Sequence, residues 1–157
     1  MDRIGLVTLQ AEVADDVRVA SEAAGAAQQR LAKGDDSGFE SCAYQLVRAF
    51  NIIEQMGLRI AKAFENHIDD ERGWHAELIH RLSIAVPGVR PAFYSSEILP
   101  ALRDLRGFRH VITHAYDLRL EADRLAIVVR HADEAVGIMP ALVERFFEIV
   151  AAELAQD

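Results

Sequence analysis

The chain has 157 residues, 51% of them hydrophobic, which is enough to bury the core of a single domain spanning residues 1–157. Its net charge of −8 argues against a broad basic surface for nucleic acid, so any such contact has to be local. Lone Cys42 excludes an internal disulfide, and without a secretion signal or a long apolar run we expect a soluble, cytoplasmic protein with no membrane contact.

The first half of the chain predicts two helices. The first runs from about Leu6 to Lys33 in an Ala-rich stretch and ends at the Gly- and Asp-rich turn 34–38. Asp36 or Ser37 is expected to cap the second helix. The apolar residues of this second helix recur at steps of three and four, at Phe39, Cys42, Ala43, Leu46, Phe50, Ile53, Gly57, Ile60 and Phe64. It is therefore long and amphipathic.

Two further helices are predicted in the middle of the chain, the first from about Glu71 to Ala85 and the second from near Glu97 through Ile112. A short one covers about 71–85 and ends at a proline-rich loop. The next begins near Glu97, with Ser95 or Ser96 as its cap. Pro100 is compatible with this helix because it falls in the first turn, where no backbone donor is needed.

The last predicted helix runs from about Arg119 or Asp123 to Ala155. Gly137 and Pro140 are expected to kink or split it. No stretch of useful length alternates between apolar and polar residues as a strand would. The sequence therefore predicts an all-α fold, a bundle of four or five helices.

Familiar metal-ligand patterns are missing from the histidines and the cysteine. His75 and His80 are five residues apart, and His110 and His114 have one-turn spacing but lack the glutamate of a zinc protease. Cys42 lies on the apolar stripe of the second helix, which favours a buried structural thiol over a nucleophile. We expect no metal and no cofactor.

Positive charge is concentrated in the fourth helix and just after it. Between Pro100 and Leu120 there are two aspartates, 104 and 117, and four arginines, 103, 106, 109 and 119. This segment is locally basic in an acidic chain. It is the place where a local contact with nucleic acid is expected.

Helix geometry places these side chains on two faces. At 100° per residue, Arg109 falls at the edge of the apolar stripe, and Tyr116 lies almost on the same line. The neighbouring polar face carries Arg103, Arg106, His110 and His114. An arginine beside an apolar stripe either lines a cleft or a subunit interface, or extends along the rim while the histidines stay solvated. The residue pattern is compatible with both positions of Arg109.

The spacing Arg109-x4-His114-x-Tyr116 resembles the RX4HXY motif of the HepT-like toxins of the HEPN superfamily. His110 occupies the polar position that follows the arginine in that motif. The resemblance extends over nearly the whole chain in length and helix order, although the specific residues are confined to about a dozen positions. It implies a HEPN-like helical fold and a metal-independent RNase of a type VII-like toxin–antitoxin pair.

The resemblance also implies a role for each motif residue. Arg109 would hold the phosphate of an RNA substrate, and the imidazole of His114 would act as acid or base. His110, Arg106 and Arg103 would support or contact the substrate. Five residues on an ideal helix separate Arg109 and His114 by about 140°, so long side chains, a helix end near Thr113 or a dimer cleft has to bring them together. The residue pattern alone does not choose between His110 and His114.

The partners implied by the resemblance are a second copy of the chain and a nucleotidyltransferase antitoxin. The antitoxin would transfer AMP to Tyr116, whose alternative role is a partly buried helix residue with its hydroxyl at the rim. The alternative function is a non-catalytic helical dimer that acts as an antitoxin or as the binding partner of a nucleotidyltransferase. In that case Arg109 and His114 would be dispensable.

Overall fold

The computed structural model describes residues 1–65 and 74–155. Within these ranges the chain forms five α-helices and no β-strand beyond an isolated antiparallel bridge between Val86 and Arg90. The helices are α1 (Arg3–Leu31), α2 (Asp36–Phe64), α3 (Trp74–Leu82), α4 (Leu99–His114) and α5 (Ala122–Leu154). The predicted all-α fold with four or five helices is confirmed.

Helix α2 is central to the bundle because it packs against each of the other four helices. Its apolar stripe is buried as the periodicity predicted, and Cys42, Leu46 and Phe50 are almost completely inaccessible. Helix α5 covers α1, α2 and α4, and its Phe146 stacks edge-on against neighbouring aromatic rings. Each large apolar side chain buried in this way contributes about 1.5–3 kcal/mol relative to an exposed one.

The turn between α1 and α2 is fixed by backbone geometry. Gly34 has φ +71°, a conformation that favours glycine. The cap of α2 is Asp35, whose carboxylate accepts a hydrogen bond from the Gly38 N–H at 2.6 Å, so the prediction of Asp36 or Ser37 was wrong. A Cβ at Gly38 would lie 2.7 Å from the Arg30 carbonyl oxygen, so only glycine fits there.

Buried Arg90 holds together the connection between α3 and α4. Its side chain is fully inaccessible and donates hydrogen bonds to Glu65, at the end of α2, and to the carbonyl oxygens of Arg81, Ile84 and Pro91. Helix α3 ends at Leu82, three residues earlier than predicted, and residues 71–73 of the prediction lie outside the described residues.

Helix α4 starts two residues later than predicted, at Leu99, with Pro100 in its first turn as expected. Ile98 stands at the cap position and makes no side-chain hydrogen bond there, so the prediction of Ser95 or Ser96 as the cap was wrong. The Ser95 hydroxyl is buried without a hydrogen-bond partner among the described residues. The packing of the inaccessible Ile98 side chain, rather than a capping hydrogen bond, fixes the position of the first turn of α4.

Helix α5 continues through Gly137 and Pro140, so of the two predicted alternatives, a kink or a split, the split is wrong. Proline removes one helical hydrogen bond, but the residues around it are anchored in the core. Ala135, Met139 and Leu142 are buried on the face that packs against the other helices. In residues 1–65 and 74–155, no helix combines the length and the apolar character that crossing a bilayer requires.

Candidate active site

The Arg109 guanidinium points from α4 towards α2. Its Nη1 donates hydrogen bonds to Glu54 Oε2 at 2.6 Å and to Asn51 Oδ1 at 3.1 Å. Its Cζ lies 4.9 Å from the centroid of the buried Phe50 ring, in cation–π geometry. The Arg109 side chain is 20% exposed. It therefore lies at the edge of the apolar stripe, as predicted, and α2 fixes its position.

Glu54, like Asn51, contacts Arg109 in this site but was not predicted from the sequence. Its side chain is only 5% exposed, and a buried carboxylate requires a partner of opposite charge, which Arg109 provides. Burial first, and the negative charge of Glu54 second, raise the pKa of nearby Tyr94. The sequence feature that could have indicated Glu54 is an acidic residue inside an apolar stripe, four residues after Phe50 and three before Gly57.

His110 and His114 are exposed and stack on each other at the end of α4. Their ring centroids are 4.4 Å apart and the rings are inclined by 28°. His114 Nδ1 lies 2.9 Å from the backbone oxygen of His110. Because a carbonyl oxygen only accepts, Nδ1 carries the proton, and Nε2 of the neutral ring is left with its lone pair.

Thr113 stabilises the same helix end. Its Oγ1 is 2.9 Å from the Arg109 carbonyl oxygen and 2.9 Å from His114 Nδ1. The helix continues to His114 and ends at Ala115, whose backbone is extended. It therefore does not end early enough to turn His114 towards Arg109. Among the described residues, no hydrogen bond or ring contact joins the two side chains, so their helical separation persists within one chain.

The supporting arginines lie on the accessible side of α4. Arg103 is exposed and Arg106 is half-buried, and within residues 1–65 and 74–155 no carboxylate forms an ion pair with either. The nearby acid Asp104 is directed towards α5, where it contacts His131 at 2.7 Å and Arg124 at 3.3 Å. The two arginines are thus unneutralised by the surrounding described residues.

Tyr116 lies beyond the end of α4, so the prediction that it continues the line of Arg109 along the helix was wrong. Its relative exposure is 107%, the largest among the exposed large hydrophobic side chains of the described residues. The alternative of a partly buried tyrosine is excluded by this value. Helix α4 ends before it reaches Tyr116, because the backbone becomes extended at Ala115.

In the part of the chain that the structure describes, no group of three His, Cys, Asp or Glu side chains is arranged to hold a metal ion. Cys42 is buried as predicted, and burial raises the pKa of its thiol to about 11. The side chain of His75 lies outside the described residues.

A family model described as HepT-like protein matches residues 41–150, which is more than two thirds of the chain. The chain belongs to the HepT-like family. The match begins inside α2 and ends inside α5, so it includes Glu54, Arg109, His114 and Tyr116. Comparison with curated proteins and with solved structures gives no match. As a HepT-like protein, this chain has a HEPN-like helical fold, in a family of toxin–antitoxin components that are generally RNase toxins.

Proposed function

We propose that this HepT-like protein is a metal-independent endoribonuclease, the toxin of a type VII-like toxin–antitoxin pair that acts in the cytoplasm. The observation that carries the proposal is the arrangement of Arg109. Both of its hydrogen bonds use Nη1, which leaves the Nε and Nη2 donors without a partner among the described residues. A guanidinium that is held on one side and available on the other is suited to a phosphate.

Arg109 would bind the scissile phosphate and stabilise the charge that develops on it. The Glu54–Asn51 contact makes Arg109 a preorganised donor, because the guanidinium does not have to be ordered when RNA binds. Glu54 and Asn51 are therefore positioning residues in this proposal. Arg103 and Arg106, unneutralised on the same helix, would contact neighbouring phosphates.

His114 would accept the proton of the ribose 2′-hydroxyl at Nε2, the nitrogen that the backbone contact leaves unprotonated. The 2′-oxygen then bonds to phosphorus while the bond from phosphorus to the 5′-oxygen of the next nucleotide breaks. That oxygen takes a proton from a second imidazole. His110 stacked on His114, or His114 of the partner subunit, would supply it.

A homodimer in which the motifs of two protomers face each other is part of the proposal. Arg109 is turned towards α2 while His114 lies at the exposed helix end, so one chain by itself does not join the two side chains. A second copy would bring His114 of the partner subunit close to Arg109. Size measurement by light scattering tests this part, with a monomer as the contradicting result.

Tyr116 is proposed as the acceptor of AMP from a nucleotidyltransferase antitoxin. Its phenol is completely exposed and lies two residues from His114, so a transferase can reach it. The added phosphate would introduce negative charge beside the basic helix. Coexpression with a nucleotidyltransferase should add one or more AMP groups by mass spectrometry. Tyr116→Phe should prevent the addition without reducing RNA cleavage.

The second candidate is a non-catalytic dimer that serves as an antitoxin or as the binding partner of a nucleotidyltransferase. The ion pair between Arg109 and Glu54 favours it, because that contact gives Arg109 a purely structural reason to be present. His114 has no such role. Its side chain is exposed, and within residues 1–65 and 74–155 it contacts only its own helix end.

The test is to induce the chain in a bacterial host beside Arg109→Ala and His114→Ala versions, with total RNA from each culture run on a gel. Growth arrest and RNA degradation only by the intact protein support the RNase. If all three proteins fold and are equally harmless, the binding dimer is the better account. His114→Ala is the sharper variant because its loss removes no buried contact.

A further inference from the structure

One face of α2 is open to solvent next to Arg109. Tyr44, Arg48, Asn51 and Gln55 follow each other at steps of three and four, and at 100° per residue they fall within an arc of about 60°. All four are exposed, Tyr44 to 65%. We call these residues the α2 face. It lies opposite the stripe that α2 buries.

The α2 face is continuous with the candidate active site. Asn51 belongs to it and also accepts the hydrogen bond from Arg109 Nη1 at 3.1 Å. All four residues line one surface depression of 290 Å³. With a rise of about 1.5 Å per residue, Tyr44 lies about 10 Å along the helix from Asn51. The depression therefore leads from Tyr44 to Asn51, the residue that contacts Arg109.

The charge of the α2 face suits a phosphodiester strand. Arg48 contacts the neutral Gln45 at 3.3 Å, and no carboxylate among the described residues forms an ion pair with it. The acid that borders the depression, Asp16, is engaged by Arg59 at 3.1 Å. The positive charge of Arg48 is therefore available to a ligand, whereas the negative charge of Asp16 is compensated by Arg59.

We infer that the α2 face binds single-stranded RNA and guides it to Arg109, an inference that rests on the proposed RNase activity. An unpaired base would stack on the Tyr44 ring, and Arg48 would hold an adjacent phosphate. The Asn51 amide and Gln55 would donate to base or sugar oxygens. A base within a duplex has no free face for Tyr44, so the substrate is unpaired at this position.

The experiment measures binding of a fluorescent single-stranded RNA of mixed sequence by the full-length His114→Ala protein, which should bind without cleaving. Tyr44→Ala in this background should raise Kd about tenfold or more through the lost stacking. Tyr44→Phe keeps the ring and should raise it less than about threefold. Arg48→Ala should weaken binding and reduce the slope of log affinity against log salt by about 0.7.

Arg145→Ala is the matched control, because it removes an exposed arginine from α5. Its Kd should equal that of the His114→Ala parent. A duplex of the same sequence should bind more weakly than the single strand, and its affinity should not respond to Tyr44→Ala.

Separate outcomes overturn the inference and the proposed function. If the wild-type protein cleaves RNA while Tyr44→Ala and Arg48→Ala bind it as tightly as Arg145→Ala, the α2 face is not the RNA path and the RNase stands. If Tyr44→Ala changes the oligomeric mass in light scattering, the face is a subunit contact. If the intact protein neither binds nor cleaves RNA, both the inference and the proposed function are wrong.

Discussion

Arg109 and Glu54 form a nearly buried ion pair between α4 and α2, with 2.6 Å between Nη1 and Oε2. The pair gives Arg109 a structural role beside the proposed one in phosphate binding, since both of its hydrogen bonds use Nη1 and leave Nε and Nη2 without a partner among the described residues. Loss of activity in an Arg109 variant therefore has two possible origins. Stability and chemistry have to be measured on the same protein.

Arg109→Ala should lower the free energy of unfolding by about 3 kcal/mol, because it breaks a nearly buried ion pair with the Glu54 carboxylate. Urea denaturation measures this change. Arg106→Ala, which breaks no ion pair among the described residues, should change stability by less than about 0.5 kcal/mol. The double variant Glu54→Leu/Arg109→Leu should recover much of the loss, because no buried charge remains. Equal stability of Arg109→Ala and wild type would contradict the structural function of the pair.

His114→Ala should reduce RNA cleavage by about 10²- to 10⁴-fold, the usual contribution of a general acid or base. His110→Ala should reduce it less, because the contact that orients His114 uses the backbone oxygen of residue 110, which the variant retains. Both residues are exposed, so the thermal midpoints should stay close to that of wild type. Initial cleavage rates of purified proteins test this order. A larger loss in His110→Ala would reverse the assignment.

Glu65 should make the fold sensitive to acid. Burial by itself would raise the pKa of Glu65, but hydrogen bonds from Arg90 and Arg81 outweigh burial and lower the pKa below its usual 4.5. A carboxyl with a lowered folded-state pKa adds stability above its unfolded pKa, and that stability is lost as pH falls through the folded-state value.

The measurement for Glu65 is the free energy of unfolding of wild type and Glu65→Gln between about pH 7 and pH 3. Glu65→Gln should be less stable near neutral pH, because Arg90 is then buried without a counter-charge. The difference should shrink as the pH falls below about 4.5. A difference that is independent of pH would show that the charge of Glu65 does not contribute.

Cys42 should resist thiol reagents in the native protein. The residue is inaccessible, and burial raises the pKa of its thiol to about 11, so little thiolate forms near pH 8. Iodoacetamide followed by mass spectrometry should label it only in denaturant. Arg145→Cys supplies an exposed thiol in the same molecule as a control. Labelling of both cysteines at similar rates would mean that α2 opens readily.

The helices and their buried faces could be predicted because periodicity depends on local spacing and on the sign of each residue's hydropathy. The stripe of α2 from Phe39 to Phe64 is an example, and Cys42 is buried as it predicts. The effect of Pro140 on the last helix was harder to predict from the sequence. Pro140 lies within a continuous α5 because tertiary packing around Met139 outweighs one missing hydrogen bond.

Contacts between helices that are far apart along the chain could not be predicted from the sequence. Glu54 and Arg109 are 55 positions apart, and their pairing depends on how α2 and α4 cross. Helix ends were also misjudged by small amounts. Asp35 rather than Asp36 caps α2, and α4 ends before Tyr116, which changes that residue from part of a helix face to an exposed side chain. A shift of one residue in the end of a helix therefore decides whether the next side chain lies on the helix face or is exposed to solvent.

RNA cleavage without a metal is the step on which the proposed function depends, and a cleavage assay with purified protein measures it. Wild type and His114→Ala are incubated with single-stranded RNA in the presence of a chelator, beside the same strand made of DNA. Wild type should cut the RNA and leave a cyclic phosphate, DNA should stay intact because it has no 2′-hydroxyl, and His114→Ala should be nearly inactive. Cleavage of RNA by His114→Ala at the wild-type rate, or no cleavage by either folded protein, would contradict the proposed function.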